Sequence, residues 1–251
     1  MTTATSNDVI LETRDLTCNF GGLKAVDSVN FRLNRGELMS IIGPNGAGKT
    51  TFFNLLSGHL HASKGRILFH GRDITDLPNY KRSRLGIGRS FQLTNVFPNL
   101  TTFENIRVAA QSKKTTFSLW GSWVAHRDLN EKAFKILKRV GLYGKRDVLA
   151  GELAYGEQRY LEIGIALSTD PLLLLLDEPS AGMSPEESRL TAAFIKELSQ
   201  QVDIILVEHD IEVVMSISDK VTCMHEGLII ACDPPDIIRQ NTEVQRCYLR
   251  E

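Results

Sequence analysis

The chain has 251 residues, and its 29 Lys and Arg against 30 Asp and Glu leave a formal net charge of −1. A chain without a general basic field lacks the charge that holds a nucleic-acid backbone, so no nucleic-acid partner is expected. The length is enough for one large α/β domain or for two smaller lobes that share a core, and we expect two lobes. Four cysteines without a C-x-x-C pair favour a reducing compartment.

The N-terminal residues and the apolar runs indicate where in the cell the protein works. Residues 1–8 lack the basic and apolar regions of a secretory signal, and no apolar run approaches the ~20 residues of a membrane span. We therefore expect a soluble, cytoplasmic protein. If it works at a membrane, we expect it to do so through a protein partner.

The first part of the chain is predicted to be rich in β-strands. Residues 9–13 and 29–33 alternate in polarity, with a turn signal between them at Gly21-Gly22. Residues 37–42 form a short apolar strand candidate before a glycine-rich run, and residues 66–69 form another strand candidate.

The middle of the chain, from Thr101 to about Ser168, is predicted to be helical. Thr101 and Glu104 have the spacing of a capping box, and residues 132–140 alternate charged and apolar residues at helical spacing. The segment 117–123 holds both tryptophans, and we expect it to pack within the helical lobe and assign it no site.

The chain then returns to strand. Residues 172–176 are all leucine, which is typical of a parallel strand buried on both faces, and we expect Asp177 to end it in the open. A helix is predicted to follow, with Ser184 as its N-cap and an apolar face formed by Leu190, Ala193, Phe194 and Leu198. Residues 204–207 read as a second buried strand, followed by alternating short strands and helices.

A phosphate-binding loop is the strongest functional signal. The run from Gly43 to Thr51 fits G-x4-G-K-S/T between a strand candidate and a helix candidate that stops at Gly58. Glycines let backbone N–H groups approach phosphate oxygens, and the helix N-terminus adds partial positive charge. Lys49 is expected to reach the β- and γ-phosphates, and the Thr50 hydroxyl a Mg²⁺ ion.

The second signal is the pair of carboxylates that follows the leucine strand. A phosphate-loop ATPase needs one carboxylate for the metal and one for water on a neighbouring strand. Asp177 is expected to bind Mg²⁺ through its water shell, because this small ion prefers oxygen ligands and keeps several waters. Glu178 is expected to orient and partly deprotonate the attacking water.

With these two signals, further motifs resemble those of the ABC ATPases. The segment 153–158 resembles the signature motif L-S-G-G-Q, Gln92 matches the Q-loop, and His209 matches the switch histidine. Residues 180–183 occupy the D-loop position, and Phe20 lies where the family places an aromatic that stacks on adenine. The motifs occur in family order and cover nearly the whole chain.

The resemblance implies an α/β fold: an ABC-type P-loop ATPase with a RecA-like core, an N-terminal antiparallel β-subdomain and a helical signature subdomain. It divides a single cassette, 8–251, into the β-subdomain plus core (8–95 and 165–235), the helical subdomain (96–164) and a C-terminal tail (236–251). It implies ATP and Mg²⁺ as cofactors and a head-to-tail dimer in which each ATP lies between two cassettes.

The site residues follow from the same resemblance. The catalytic residues are Glu178, His209 and Lys49, and the metal contacts come from Thr50, Gln92 and Asp177. The nucleotide-binding residues are Phe20, Gly43, Pro44, Asn45, Gly46, Ala47, Gly48, Lys49, Thr50 and Thr51. The signature residues, which act on the partner cassette's ATP, are Leu153, Ala154, Tyr155, Gly156, Glu157 and Gln158.

One position departs from the family pattern. Ala154 stands where the signature serine normally donates a hydrogen bond to the γ-phosphate. Such a bond to a charged group is worth ~1.5–3 kcal/mol, so its loss is expected to weaken closure or rate roughly ten- to a hundredfold. The loss would fall on the partner's ATP, so we predict asymmetric sites if the partner is a different cassette.

The sequence in and around these motifs is similar to the larger ATP-binding subunit of branched-chain amino acid importers. It is carried by residues 20–26, 73–78, 88–92 and 207–210. In that family such a cassette pairs with a second, distinct ATPase below two permease subunits, and a solute-binding protein delivers the solute. For this chain both an identical and a distinct partner cassette are left open. The resemblance implies a peripheral position on the cytoplasmic face of the inner (plasma) membrane, and the cargo stays open.

Two alternatives remain at this point. A lipopolysaccharide-export ATPase shares the region of Leu77-Pro78 and the single-cassette format, but its Q-loop surroundings usually differ from those of this chain. A soluble, non-transport ABC ATPase clamp usually has two cassettes or a long coiled coil, and this sequence shows neither.

Overall fold

The structure is a computed structural model that describes residues 8–90, 96–112 and 123–249, without the side chains of 123–126 and 249. Its strands are β1 Val9–Phe20, β2 Leu23–Asn34, β3 Leu38–Ile42, β4 Lys64–Phe69, β5 Arg72–Asp73, β6 Ile87–Arg89, β7 Leu173–Asp177, β8 Asp203–Val207, β9 Lys220–His225 and β10 Leu228–Asp233. Its helices are α1 Lys49–Ser57, α2 Asn79–Leu85, α3 Thr102–Gln111, α4 Trp123–Arg139, α5 Tyr155–Leu167, α6 Pro185–Leu198, α7 Ile211–Ile217, α8 Pro235–Gln240 and α9 Thr242–Leu249.

In the described chain these strands form two sheets. One is antiparallel, in the order β2-β1-β4-β5, and the other has the order β10-β9-β3-β8-β7-β6. In the second sheet the five strands β9, β3, β8, β7 and β6 are parallel, and β10 pairs with β9 in the antiparallel sense. The predicted α/β class and the β-rich opening are therefore confirmed.

Both faces of the larger sheet are buried, as the leucine run predicts. Leu173 and Leu175 join the apolar cluster that contains α1, whereas Leu174 and Leu176 join the cluster of the helical side. The alternation follows from the two-residue period of a strand. A run without polar residues is thus the signature of a central parallel strand.

The helical side is built by α3, α4 and α5, and its start follows the predicted cap. Thr101 and Glu104 form a capping box: the Thr101 hydroxyl accepts from the Glu104 amide, and the Glu104 carboxylate accepts from the Thr101 amide. Gly164 on α5 allows close packing, because a Cβ there would lie 2.8 Å from Ile106 Cδ1 on α3. The segment 117–122 lies outside the described residues, as does the side chain of Trp123.

The structure corrects the predicted apolar face of α6. Ser184 and Glu187 form the predicted capping box, but Leu190 is 60% exposed and Ala193 is exposed as well. The buried residues of this helix are Ser188, Thr191, Ala192, Ile195 and Leu198. The prediction is therefore confirmed at Leu198 and, in part, at Phe194, which packs against the core, and it is wrong at Leu190 and Ala193.

The C-terminal residues pack on the core. Ile238 of α8 and Val244 of α9 are buried in a cluster with Ile42, Val214 and Val221. The described part of the expected tail, 236–249, thus covers one end of the larger sheet.

Candidate functional site

The glycine-rich loop lies between β3 and α1, as predicted, and its glycines have two different structural reasons. Gly48, the N-cap of α1, has φ 97°, and a Cβ there would lie 2.3 Å from the Ala25 carbonyl oxygen. A Cβ on Gly43 would lie 2.2 Å from the Met224 carbonyl oxygen. Gly46 has φ 80° but open space around it. Packing excludes a side chain at Gly43 and Gly48, whereas only the backbone conformation favours glycine at Gly46.

Lys49 folds back over this loop. Its side chain is buried, and Nζ donates to the carbonyl oxygens of Gly43 at 2.5 Å and Pro44 at 2.9 Å. The ammonium group is thereby held above the loop's backbone, where it adds to the positive end of α1. An anion bound in the loop meets both sources of positive charge.

Glu178 and His209 lie across a cleft from the loop. Each follows the carboxyl end of a parallel strand, β7 or β8, and His209 Nε2 lies 2.9 Å from Glu178 Oε1. The cleft has a volume of about 820 Å³ and is lined by Phe20, Leu23, Lys24, Ala25, Asn45, Gly46, Ala47, Gly48, Lys49, Thr50, Thr51, Glu178, His209 and Glu226. Ligands of open parallel sheets bind at this edge.

Glu178 adopts an uncommon backbone conformation. Its φ is 48°, in the left-handed region that a non-glycine residue rarely occupies. Its amide donates to the Val207 carbonyl oxygen at 2.8 Å, which ties the turn to the end of β8. The turn directs the chain into the segment 180–183, and strained residues held in this way are common at functional sites.

The structure corrects the expectation that Asp177 lies in the open. Asp177 is the last residue of β7, and its side chain is fully buried. Burial raises the pKa of its carboxyl group, and the guanidinium of Arg89 opposes that shift. Arg89 Nη2 donates to Asp177 Oδ2 at 3.1 Å, so the buried charge is paired.

Arg89 is a site residue that the sequence reasoning missed. Its Nη1 donates to Asn54 Oδ1 at 2.6 Å and to Ser57 Oγ at 2.7 Å, and its guanidinium lies 5.0 Å from the centre of the Phe53 ring. Arg89 thus joins the end of α1 to the end of β7. The sequence contains no local signal for this contact, because the partners lie far apart along the chain.

The residues fit a hard cation beside the loop. Among the described residues, the buried Asp177 Oδ1 has no hydrogen-bond partner, and carboxylate and hydroxyl oxygens are the ligands that Mg²⁺ prefers. Thr50 is exposed at the start of α1 and lines the cleft. Gln92, the third predicted contact, lies outside the described residues.

Phe20 ends β1 beside the loop. Its side chain is 50% exposed and lines the cleft with Leu23. An exposed aromatic ring beside a polar loop offers a flat apolar face to a base or another planar group. Its predicted place next to the nucleotide loop therefore agrees with the geometry of the cleft.

The signature segment lies apart from this cleft, at the N-terminus of α5. Ala154 is the N-cap, with an extended backbone like that of Ser184, but its methyl group accepts no hydrogen bond. Only the Glu157 half of a capping box remains, since its carboxylate accepts from the Ala154 amide at 3.2 Å. Gln158 Nε2 donates to the Leu153 carbonyl oxygen at 3.0 Å.

The signature segment contacts the segment 180–183 of the same chain. A Cβ on Gly182 would lie 3.2 Å from Tyr155 Cε1, and one on Gly156 would lie 3.8 Å from Met183 Cε. The Tyr155 hydroxyl accepts from Arg159, which pairs with Glu162 inside α5. The half-exposed tyrosine is therefore held by Arg159 at its hydroxyl group and lies close to Gly182.

Comparison with known proteins agrees with this geometry. The family model of the ABC transporter matches residues 26–181. The chain is 40% identical over 250 residues to the high-affinity branched-chain amino acid transport ATP-binding protein BraF of Pseudomonas aeruginosa, covering 96% of this chain and 98% of BraF. This chain belongs to the ABC transporter family.

A second relative and a solved structure are also similar to this chain. It is 38% identical to the high-affinity branched-chain amino acid transport ATP-binding protein LivG of Escherichia coli, over 96% of this chain and 98% of LivG. It superposes with a TM-score of 0.85 on a nucleotide-free ATP-binding cassette from an ABC transporter, at 32% identity over 96% of this chain and 98% of the other.

A second solved cassette gives the same result. The ADP conformation of MJ1267, an ATP-binding cassette of an ABC transporter, superposes with a TM-score of 0.85 at 31% identity, over 97% of this chain and 99% of the other. The predicted family and the predicted ABC-type fold are therefore confirmed. Among the described residues, none of the cassette's helices combines the length and the apolar character needed to cross a membrane.

Proposed function

We propose that this chain is the ATP-binding and ATP-hydrolysing subunit of an ABC importer that takes up branched-chain amino acids or a related small solute. The observation that carries the proposal is the cleft in which Lys49 and its loop face the Glu178–His209 pair. The similarity to BraF and LivG, two branched-chain amino acid transport ATP-binding proteins, supports the choice of solute class.

ATP would lie along this cleft. Its phosphates would meet the backbone N–H groups of the loop from Asn45 to Thr51 and the Lys49 ammonium, and its base would lie against Phe20. The loop residues Pro44, Asn45, Gly46, Ala47 and Gly48 shape this cradle through their backbone. Lys49 Nζ already donates to two carbonyl oxygens, and a bond to phosphate would be stronger than these because donor and acceptor are then both charged.

Mg²⁺ would be held by the Thr50 hydroxyl and Asp177, with Gln92 as the third protein contact. When bound, the ion neutralises charge that develops on the phosphate oxygens. Arg89 holds Asp177 Oδ2, and Oδ1 accepts from no residue in the described ranges. The bond from Arg89 thus keeps the Asp177 carboxylate oriented whether or not the ion is present.

Glu178 and His209 would act on water and the γ-phosphate. Glu178 accepts a hydrogen bond from the attacking water and aligns it, and the adjacent His209 donates to the γ-phosphate. The 2.9 Å contact between them keeps both side chains at one wall of the cleft. Lys49 provides the fixed positive charge on the opposite wall.

A role in transport requires partner proteins. Two cassettes, identical or distinct, would close head to tail, with residues 153–158 of each facing the ATP of the other. Transmembrane permease subunits would bind the pair at the cytoplasmic face of the plasma membrane, and a solute-binding protein would act through them. The proposed divisions are core and β-subdomain at 8–95 and 165–235, helical subdomain at 96–164 and C-terminal segment at 236–251.

Replacing Glu178 with Gln tests the hydrolytic role. The amide keeps the shape but cannot take a proton, so we expect kcat to fall by about 100-fold or more, and ATP to hold the variant as a dimer. Turnover and light scattering with ATP measure the two effects. A Lys49→Ala variant, which should bind ATP poorly and stay monomeric, is the control, and unchanged turnover in Glu178→Gln would remove Glu178 from catalysis.

Ala154→Ser tests the predicted asymmetry. A serine would add a donor toward the partner's ATP, and we expect the ATPase rate of the assembled complex to rise by roughly tenfold. It would also supply the side-chain hydrogen bond that Ala154, as the N-cap of α5, cannot make, so the isolated chain should gain about 1 kcal/mol of stability. A more stable chain with an unchanged ATPase rate would contradict the asymmetry and leave only the capping effect.

Co-purification from native membranes tests the importer assignment. The tagged chain, purified from native membranes under mild conditions, should bring down two polytopic permeases and a second cassette, which mass spectrometry identifies. Recovery of ribosomes or DNA-repair factors, without a membrane protein, would overturn the transport role and leave the ATPase role standing.

A further inference from the structure

Glu208 is a buried carboxylate that the hydrolytic mechanism does not use. It follows β8 directly, is 4% exposed, and lies between two segments of the site. Burial raises the pKa of its carboxyl group, and the hydrogen bonds that it accepts act in the opposite direction. Such a group is retained in a protein interior only if its oxygens are satisfied.

Each oxygen of Glu208 holds a different segment. Oε1 accepts from the Ser180 amide at 2.9 Å and from Ser180 Oγ at 2.6 Å. Oε2 accepts from the His209 amide at 3.1 Å. The carboxylate is therefore a bridge between the start of the 180–183 segment and the residue that carries the switch imidazole.

These contacts form a closed circuit around the proposed catalytic pair. His209 Nε2 contacts Glu178 Oε1, and the Ala181 amide donates to the Glu178 carbonyl oxygen at 3.1 Å. From Ser180 the Glu208 carboxylate leads back to His209. The circuit thus fixes the side chain of Glu178 from one side and its backbone from the other.

The backbone of Glu178 explains why a bridge is needed. A left-handed φ of 48° on a glutamate is unfavourable and persists only where the surroundings determine it. The amide of Glu178 is fixed by Val207, and the chain two residues further is fixed by Glu208 through Ser180. Both anchors belong to the end of β8.

We propose that Glu208 is a positioning residue that locks the 180–183 segment to the backbone of His209 and thereby holds Glu178 and His209 in register. Its effect on turnover rests on the proposed ATPase function, whereas the lock itself does not. Because Tyr155 packs on Gly182, the lock also fixes the surface on which the signature segment rests.

Glu208→Gln is the sharpest test, because the amide keeps the shape but has only one acceptor oxygen. It can hold Ser180 or the His209 amide, and its NH₂ group then faces a donor on the other side. Asp203→Asn is the matched control. Asp203 is a buried carboxylate at the opposite end of β8, and its Oδ1 accepts from a single amide, Gly36 at 2.5 Å, which an asparagine oxygen still accepts.

Hydrogen–deuterium exchange of the full chain measures directly how firmly Glu208 holds the two segments. In Glu208→Gln we expect at least one of the segments 178–183 and 209–214 to exchange about tenfold faster, the effect of losing one charge-assisted bond. With ATP we expect kcat to fall by about tenfold with an unchanged KM, since the loop from Gly43 to Thr51 is untouched. Asp203→Asn should change neither segment and neither constant.

The outcomes separate the two proposals. Unchanged exchange in both segments would overturn the lock whatever the ATPase shows, and an equal loss of kcat in Asp203→Asn would reduce Glu208 to a general structural role. A wild-type chain that does not hydrolyse ATP would count against the proposed function, and exchange would then decide the lock alone. If Glu208→Gln does not fold, Ser180→Ala, which removes only the hydroxyl bond, should speed exchange in 178–183 and not in 209–214; no change there overturns the lock.

Discussion

Removing Arg89 should strand a buried negative charge in the middle of the site. In the Arg89→Met variant the side chain keeps much of its apolar length but loses the bond to Asp177 and those to Asn54 and Ser57. The side chain of Asp177 is fully buried and that of Arg89 is 10% exposed, so water does not replace the lost partner.

The geometry gives the size of the effect. At the 3.1 Å separation of Arg89 Nη2 and Asp177 Oδ2, two unit charges attract by about 5 kcal/mol at an effective dielectric constant of about 20. Methionine avoids the cost of burying the guanidinium, which reduces the net loss. We therefore expect Arg89→Met to lower the free energy of unfolding by about 3–5 kcal/mol, as for other buried pairs that lose one partner.

Urea unfolding followed by circular dichroism measures this loss, and a double-mutant cycle assigns it. Asp177→Asn in the Arg89→Met background removes the stranded charge and should restore about 2 kcal/mol. Arg14→Met is the matched control, because Arg14 pairs with Glu12 at 2.9 Å but in solvent, where ion pairs contribute little.

Two results would refute this reasoning. One is a loss below about 1 kcal/mol for Arg89→Met, which would mean that the site collapses or admits water around Asp177. The other is a double variant no more stable than Arg89→Met, which would show that the loss comes from Asn54 and Ser57 and not from the charge.

Two further predictions test the loop and a helix cap. Gly48→Ala, whose Cβ would meet the Ala25 carbonyl oxygen at 2.3 Å, should abolish binding of a fluorescent ATP analogue and lower Tm, whereas Gly46→Ala, with open space around it, should cost only about 1–2 kcal/mol of backbone strain; equal effects on Tm would contradict the packing argument. Hydrogen bonds from the Ser184 amide and hydroxyl lower the pKa of Glu187, so its stabilisation is present above the pKa of the unfolded chain and is lost as the pH falls through the folded-state pKa. Glu187→Gln should therefore be less stable than the parent at pH 6 and equal to it at low pH, and a difference that persists in acid would exclude the carboxylate as the cause.

Features that depend on neighbouring residues were predicted from the sequence. The capping boxes at Thr101 and Ser184 were confirmed because both partners lie within one turn. The loop before α1 was placed correctly because its glycines and the flanking strand and helix form one continuous pattern. The roles of its residues in binding ATP stay predictions, as does the role of Gln92.

Contacts between distant segments were decided by the tertiary structure. Asp177 is buried, and not in the open as predicted, because β6 lies beside β7 and brings Arg89 to its carboxylate. The apolar face of α6 was wrong at Leu190 and Ala193 for the same reason, since packing against the core selects Ala192, Ile195 and Leu198 and leaves Leu190 in solvent.

The sequence by itself determined the glycine-rich loop with its flanking strand and helix, the buried strands β7 and β8, the two capping boxes and the residue types needed for phosphate and metal chemistry. Each of these depends on local backbone preferences and side-chain chemistry. Only the tertiary structure decided which charges meet. The strand order β3-β8-β7-β6 places the ends of separate strands side by side. Arg89 therefore pairs with Asp177, and Glu208 bridges Ser180 and His209, because sheet pairing and not sequence distance sets which side chains share a buried, low-dielectric space.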